Sequence, residues 1–310
     1  MRIIGRLKSD VRSTVLALFI IALAVPQQYF AQSSWTPPIP RKAKTPFAPK
    51  PLGGDNIFKG EAERWLADAI VKLEVGFLMP IEDKSVMDYI LQVGNHLSAH
   101  SAAPTVQYQF IVTYDLVPNA MTAGGGRIYI TRGMLEQIES EDELAAVLAH
   151  EIAHDAFKHA TKTVTRQLYW MTGTPKVKTP AEIESSLAKL LAEYEKKPVA
   201  AIGEKLLGFA RFDELEADRA AFYNMYRAGY NPRALATVLK RMEREINEEL
   251  GKGDGWYQFI VLLFGSHPPT PQRSMAFSWE SNFVKMPPKD ARHQSAAFKT
   301  MQAKVAQLPK

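Results

Sequence analysis

The 310-residue chain has no cysteine, which excludes disulfide frameworks, cysteine zinc clusters, thiol nucleophiles and an acylated N-terminal cysteine. Any metal has to sit on histidine, aspartate or glutamate. The absence does not identify a redox compartment, because a chain with 46% hydrophobic residues can bury a core that needs no covalent staple. A basic run interleaved with aromatics is also missing, and with it the electrostatic reason to propose a nucleic acid partner.

The N-terminal apolar run, Ser13 to Val25, is shorter than the roughly 20 residues that span a bilayer as a helix. Arg2, Arg6, Lys8 and Arg12 precede it and Pro26 closes it, which is the pattern of an export signal over residues 1–31, with an N-terminal membrane anchor as the alternative. Tyr29 stands where a small residue is wanted for a cut after Ala31, so the cleavage point is poorly marked. Removing residues 1–31 takes away four basic residues and Asp10, a net loss of three charges from the +5 of the whole chain, leaving +2.

Residues 32–56 carry Pro37, Pro38, Pro40, Pro46, Pro49 and Pro51, a composition that favours an extended linker. Helical periodicity begins near Gly60, through about 61–75 and 83–98, so the folded domain is expected over 57–310. The segments 106–114 and 127–131 are rich in aromatic and β-branched residues and read as strands. Gly124, Gly125 and Gly126 between them read as a turn. Downstream, helices are expected near 141–162, 181–195, 203–228, 232–249, 271–282 and 290–306. Ser140 with Glu143 has capping-box spacing, and Asn231 before Pro232 supplies a cap and a first-turn proline. The fold class is α+β, helix dominated.

The helix from Ser140 runs into His150, Glu151, Ile152, Ala153 and His154, the H-E-x-x-H pattern. Residues four apart lie one turn above each other, so two imidazoles can converge on one ion while Glu151 stands beside its open position. Two unrelated histidines on a surface helix are the ordinary alternative, but the apolar flanks imply burial, where unpartnered histidines and a glutamate are costly. A catalytic zinc takes three protein ligands. His159 is the nearest candidate, yet on a continuous helix it lies about 140° around from His154 at about 100° per residue, and the metzincin pattern wants glycine at Phe157 and histidine at Ala160. It is expected at the surface or in a second layer. Glu214 and Asp218 are four apart on one predicted helix, so both carboxylates face the same way. Glu214 is the better candidate ligand, with Asp218 accepting from the outer nitrogen of a ligand histidine and Glu216 on another face.

These residues resemble the gluzincin peptidases of family M48, which include CAAX prenyl endopeptidases and membrane and periplasmic proteases of the HtpX, Oma and BepA types. The resemblance spans roughly residues 60–282 and rests on His150 to His154, on Glu214 with Ala217 and Asp218, and on Arg211 three residues before Glu214. Asn119 and Ala120, the 228–232 turn and the segment 266–273 support it. It implies a gluzincin-type domain with a small sheet beside the active-site helix, one zinc ion per chain, Glu214 as third ligand, and Asp218 and Arg211 in a supporting layer. The chain ends at Lys310 without the repeat array of the BepA type, which reads as a minimal exported version.

The expected activity is zinc-dependent endopeptidase, with Glu151 as general base. His267 and Arg273 are the candidates for stabilising the oxyanion from a downstream loop. An edge strand over 127–131 would accept an extended or misfolded polypeptide by main-chain hydrogen bonds, with Asn119, Gly126, Arg127 and Tyr129 assigned to substrate contact. The alternatives are a latent or inactive zinc-binding holdase and a helical protein without metal. A periplasmic location is expected, with secretion or anchoring, and hence membrane proximity, as alternatives.

Overall fold

The computed structural model describes residues 56–74, 79–116, 118–173, 175–196, 199–250, 271–287 and 295–308. The predicted export signal, the linker up to residue 55 and His267 lie outside the described residues. Helices dominate: α1 (Glu61–Glu74), α2 (Lys84–Ala99), α3 (Arg132–Gln137), α4 (Glu141–Ala156), α5 (His159–Thr172), α6 (Pro180–Lys196), α7 (Val199–Arg227), α8 (Arg233–Leu250), α9 (Pro271–Glu280) and α10 (Ala296–Gln307). They surround a small sheet of β1 (Gln109–Thr113), β2 (Ala120–Gly124) and β3 (Arg127–Thr131). Among the described residues no helix is long and apolar enough to cross a membrane.

Helix α4 is the axis of the fold. Three acidic residues in its first turn, Glu141, Asp142 and Glu143, oppose the positive end of the helix dipole. Ser140 Oγ accepts from the Glu143 amide at 3.3 Å. The reciprocal half of the capping box is redirected: Glu143 accepts from the Glu139 amide at 2.8 Å and from Arg241 at 2.8 Å. Every residue of α4 from Asp142 to Ala156 is buried, because α2, α7, α8 and the sheet pack around it. Asn231 caps the chain's entry into α8, its Oδ1 accepting from Arg233 N at 3.1 Å. Its own amide donates to Asp142 Oδ1 at 2.8 Å and ties α8 to the start of α4.

Among the described residues two large apolar clusters make up most of the interior. The larger joins α2, the sheet, α4, α8 and α10 through residues such as Ile90, Leu97, Ile128, Ile130, Leu148 and Phe298. The smaller packs α1, α5 and α6 around Phe58, Leu66, Leu168, Ile183 and Leu187.

The structure corrects two sequence-based expectations. The helix expected over 141–162 ends at Ala156, and a new one starts at His159. Between them Lys158 takes a left-handed conformation at φ 61°, uncommon for a side chain with a Cβ. Its Nζ lies 2.7 Å from Glu63 Oε1 of α1, a tertiary contact that local periodicity does not register. The strand over 127–131 is not an edge: the order is β1-β3-β2, with β3 in the centre, parallel to β1 and antiparallel to β2. Residues 120–124 form one of the two outer strands, and Gly124 at its end leads into the Gly125–Gly126 turn, all three glycines with positive φ.

Candidate metal centre

His150 and His154 project from the last two turns of α4 towards α7, which brings Glu214 against them. The Nε2 atoms of the two histidines are 3.0 Å apart. Glu214 Oε2 is 3.3 Å from His150 Nε2, and Oε1 is 3.2 Å from His154 Nε2. Donors held at about 2.0–2.1 Å from a tetrahedral ion stand roughly 3.3 Å apart, so the three form a triangle of the size a zinc-like ion needs. Two imidazole nitrogens and a carboxylate oxygen are also the donor types that such an ion takes. Among the described residues this is the group of His, Asp and Glu able to hold a metal ion, and all three are buried.

Small residues make the approach possible. Where the end of α4 meets α7, Ala153, Ala156 and Phe157 pack against Ala217 and Ala220, and the four alanines let the backbones approach closely. Ala217 is fully buried. Ala217→Leu is expected to force the helices apart, lower stability by about 1–3 kcal/mol and weaken metal binding; urea unfolding and metal titration of the variant check both effects.

Around the triangle lies a layer of charged partners. Asp218 Oδ1 is 3.0 Å from His150 Nδ1, the expected arrangement for an outer-nitrogen acceptor. Arg273 grips Asp218 with two hydrogen bonds, Nε to Oδ2 at 2.5 Å and Nη2 to Oδ1 at 2.7 Å, and reaches Glu214 Oε2 through Nη1 at 3.0 Å. Arg273 lies in α9 and is 2% exposed, and these contacts tie it to a candidate ligand and to that ligand's neighbour on α7. Glu151, also buried, follows His150 on α4. Arg211 lies on α7 with no described side-chain position.

The charges are strongly coupled. Burial by itself would lower the pKa of His150, but the Asp218 and Glu214 carboxylates outweigh it and push it up to about 10. His154 goes the other way, to about 3, chiefly through burial and despite Glu214. Burial would raise Asp218, yet Arg273 and His150 hold it at about 2. Arg273 is raised: burial opposes its charge, but Asp218 and Glu214 more than compensate. Glu151, Glu214 and Asp218 are all buried, and buried carboxylates are stabilised by a bound cation. Such a cation would have to displace the proton from His150.

His159 was placed at the surface or in a second layer by its sequence position; it is buried in the second layer, at 3% exposure. The break at Lys158 swings it back so that its Nδ1 lies 2.9 Å from His154 Nδ1. Its Nε2 lies 3.0 Å from Glu216 Oε2, and burial holds its pKa down at about 3. Sequence reasoning missed this pair because it presumed an unbroken helix.

The residues assigned to substrate lie around the hairpin. The Gly126 amide donates to Asp155 Oδ1 at 3.0 Å, Arg127 pairs with Asp68, and Tyr129 is buried in the central strand. The Asn119 amide donates to Thr131 Oγ1 at 2.8 Å, and its carbonyl accepts from Thr131 N at 2.9 Å. These groups brace the hairpin against α1 and α4.

Two histidines from one helix and a glutamate from a second form a group able to hold a metal ion, the donor set expected of a gluzincin peptidase. The chain belongs to peptidase family M48, whose sequence profile matches residues 85–279. It is similar to mitochondrial metalloendopeptidase OMA1 of Schizosaccharomyces pombe, 28% identical over 188 residues, covering 60% of this chain and 50% of the relative. It is similar also to the β-barrel assembly-enhancing protease of Escherichia coli K12, 24% identical over 243 residues, with 76% and 46% covered. Metalloprotease LoiP of the same organism is 24% identical over 184 residues, with 59% and 65% covered. The chain thus spans about half the length of the first two of these relatives.

Proposed function

We propose that this chain is a zinc-dependent endopeptidase that cleaves extended or misfolded polypeptides outside the cytoplasm. The observation that carries the reading is the buried convergence of His150 Nε2, His154 Nε2 and the Glu214 carboxylate, with Glu151 next to His150 on the helix that holds both histidines. The three ligands would hold zinc, which supplies Lewis-acid activation of water and of the scissile carbonyl. Glu151 takes the proton of the attacking water and returns it to the leaving amine. Asp218, whose Oδ1 lies 3.0 Å from His150 Nδ1, would accept from it when metal binds and so keep the lone pair of Nε2 directed at the ion, while Arg273 holds Asp218 and Glu214 in place.

The substrate's place shifts from β3 to β2. In the antiparallel pair, Thr131 N donates to the Asn119 carbonyl, so by alternation Met121 also bonds to β3 and the main-chain groups of Ala120 and Thr122 point away from it. Among the described residues no further strand occupies that side. A polypeptide adding there would be recognised by its backbone, which gives broad sequence tolerance and requires an extended conformation.

The basic and then apolar N-terminal segment supports export, and the named role of one relative in β-barrel assembly favours envelope proteins of a bacterial periplasm as substrates. The full chain, incubated with casein, is expected to generate fragments. Cleavage should stop on addition of a zinc chelator and return when zinc is restored. Bound zinc without cleavage would favour a latent enzyme or holdase, and a purified chain that takes up no zinc would overturn the proposal.

A further inference from the structure

The two histidines of the metal centre are supported differently. His150 meets a carboxylate directly, with Asp218 Oδ1 at 3.0 Å from its Nδ1. His154 meets another histidine: His159 Nδ1 is 2.9 Å from His154 Nδ1, and Glu216 Oε2 is 3.0 Å from His159 Nε2. Asp213 stands further away, its Oδ1 3.8 Å from the same nitrogen, and is itself engaged by Arg166 at 2.8 Å. His159 and Glu216 are both buried. Their rings and carboxylate thus form an unbroken line from α7 through the start of α5 to the end of α4.

Only one order of protons fits that line when His154 is a ligand. An imidazole that offers the lone pair of Nε2 must carry its proton on Nδ1. That proton can be donated only if His159 Nδ1 is unprotonated, which places the His159 proton on Nε2. A carboxylate oxygen, Glu216 Oε2, lies within hydrogen-bond distance to accept it. Glu216 therefore selects the tautomer of a residue it does not touch. The Lys158 break is what permits this, because on a continuous helix the ring of His159 would point about 140° away from His154.

We propose that His159 and Glu216 form a positioning relay that fixes the tautomer and ring orientation of His154, acting on metal affinity through it. This inference rests on the zinc reading given above. Partners of this kind typically change metal affinity by about 10- to 100-fold when removed, and an effect in that range is expected here.

The test uses the full chain and four measurements per variant: zinc affinity by competition with a chromophoric chelator, the visible spectrum of the cobalt-substituted protein, the melting temperature without metal, and histidine ring nitrogen shifts by NMR. His159→Phe keeps a ring of comparable size but no acceptor, and is expected to weaken zinc by about 10- to 100-fold and to shift the cobalt bands. Glu216→Leu should act in the same direction, whereas Glu216→Gln keeps an oxygen acceptor and should recover affinity. In the zinc-loaded wild type, His159 should show a protonated Nε2 and an unprotonated Nδ1. Should His159→Phe fail to fold, the Glu216 variants and the wild-type nitrogen shifts decide the matter. The relay is overturned if zinc affinity stays within about twofold of wild type in His159→Phe and Glu216→Leu while their metal-free melting temperature falls, since that is the behaviour of a structural core pair. It is overturned equally by a proton on Nδ1 of His159. A wild type that binds no zinc would instead remove the metal reading itself.

Discussion

Glu151→Gln is expected to keep one zinc per chain and the wild-type melting temperature while losing about 10²- to 10⁴-fold of casein cleavage. The substitution preserves volume and a hydrogen-bonding oxygen, so α4, in which the residue is buried, has no reason to repack. The amide cannot accept the proton of an attacking water, and nothing else on α4 takes its place: His150 and His154 point their Nε2 atoms at Glu214. Zinc content, thermal melting and fragment formation measured on one preparation separate chemistry from structure. Unchanged cleavage would remove Glu151 from the mechanism, and zinc loss would mean that it acts on the metal.

Glu214→Ala is expected to do the reverse and reduce bound zinc from about one ion per chain to near none. Its two carboxylate oxygens stand 3.2–3.3 Å from both histidines, so its removal leaves a two-ligand site below the three a catalytic zinc takes. It also takes one carboxylate from the buried Arg273, while the two hydrogen bonds to Asp218 stay. Breaking a buried ion pair by deleting one partner costs about 3–5 kcal/mol, here partly offset by the Asp218 contacts. Urea unfolding in chelator should therefore show a destabilised variant, and added zinc, which should stabilise the wild type, should leave the variant unchanged. A variant that retains stoichiometric zinc would mean that another residue supplies the third ligand.

The site was legible where its logic is local. A four-residue spacing on a helix aligns two side chains whatever surrounds it, which is why His150 with His154 and Glu214 with Asp218 could be paired before any packing was known. The same argument failed for His159, because the helix breaks at Lys158, whose Nζ pairs with Glu63, 95 residues earlier in the chain. It was incomplete for Glu216, whose separate face on α7 becomes meaningful once α5 turns back against it. Arg273 was picked out as a site residue, but its contacts with Asp218 and Glu214 on α7 join two separate helices and were not legible in the sequence. Residues 120–124, with their alanines and glycine, have little intrinsic preference for a strand, and pairing with β3 imposes one.

By itself, then, the sequence determined the donor types, the helices that carry them and the family to which the chain belongs, because these follow from residue chemistry and from the 3.6-residue period of a helix. Only the tertiary structure decided which strand lies at the edge, which second histidine stands behind His154, and that Arg273 faces inward. Each of those depends on contacts between residues far apart in the chain, where burial and charge compensation outweigh local propensity.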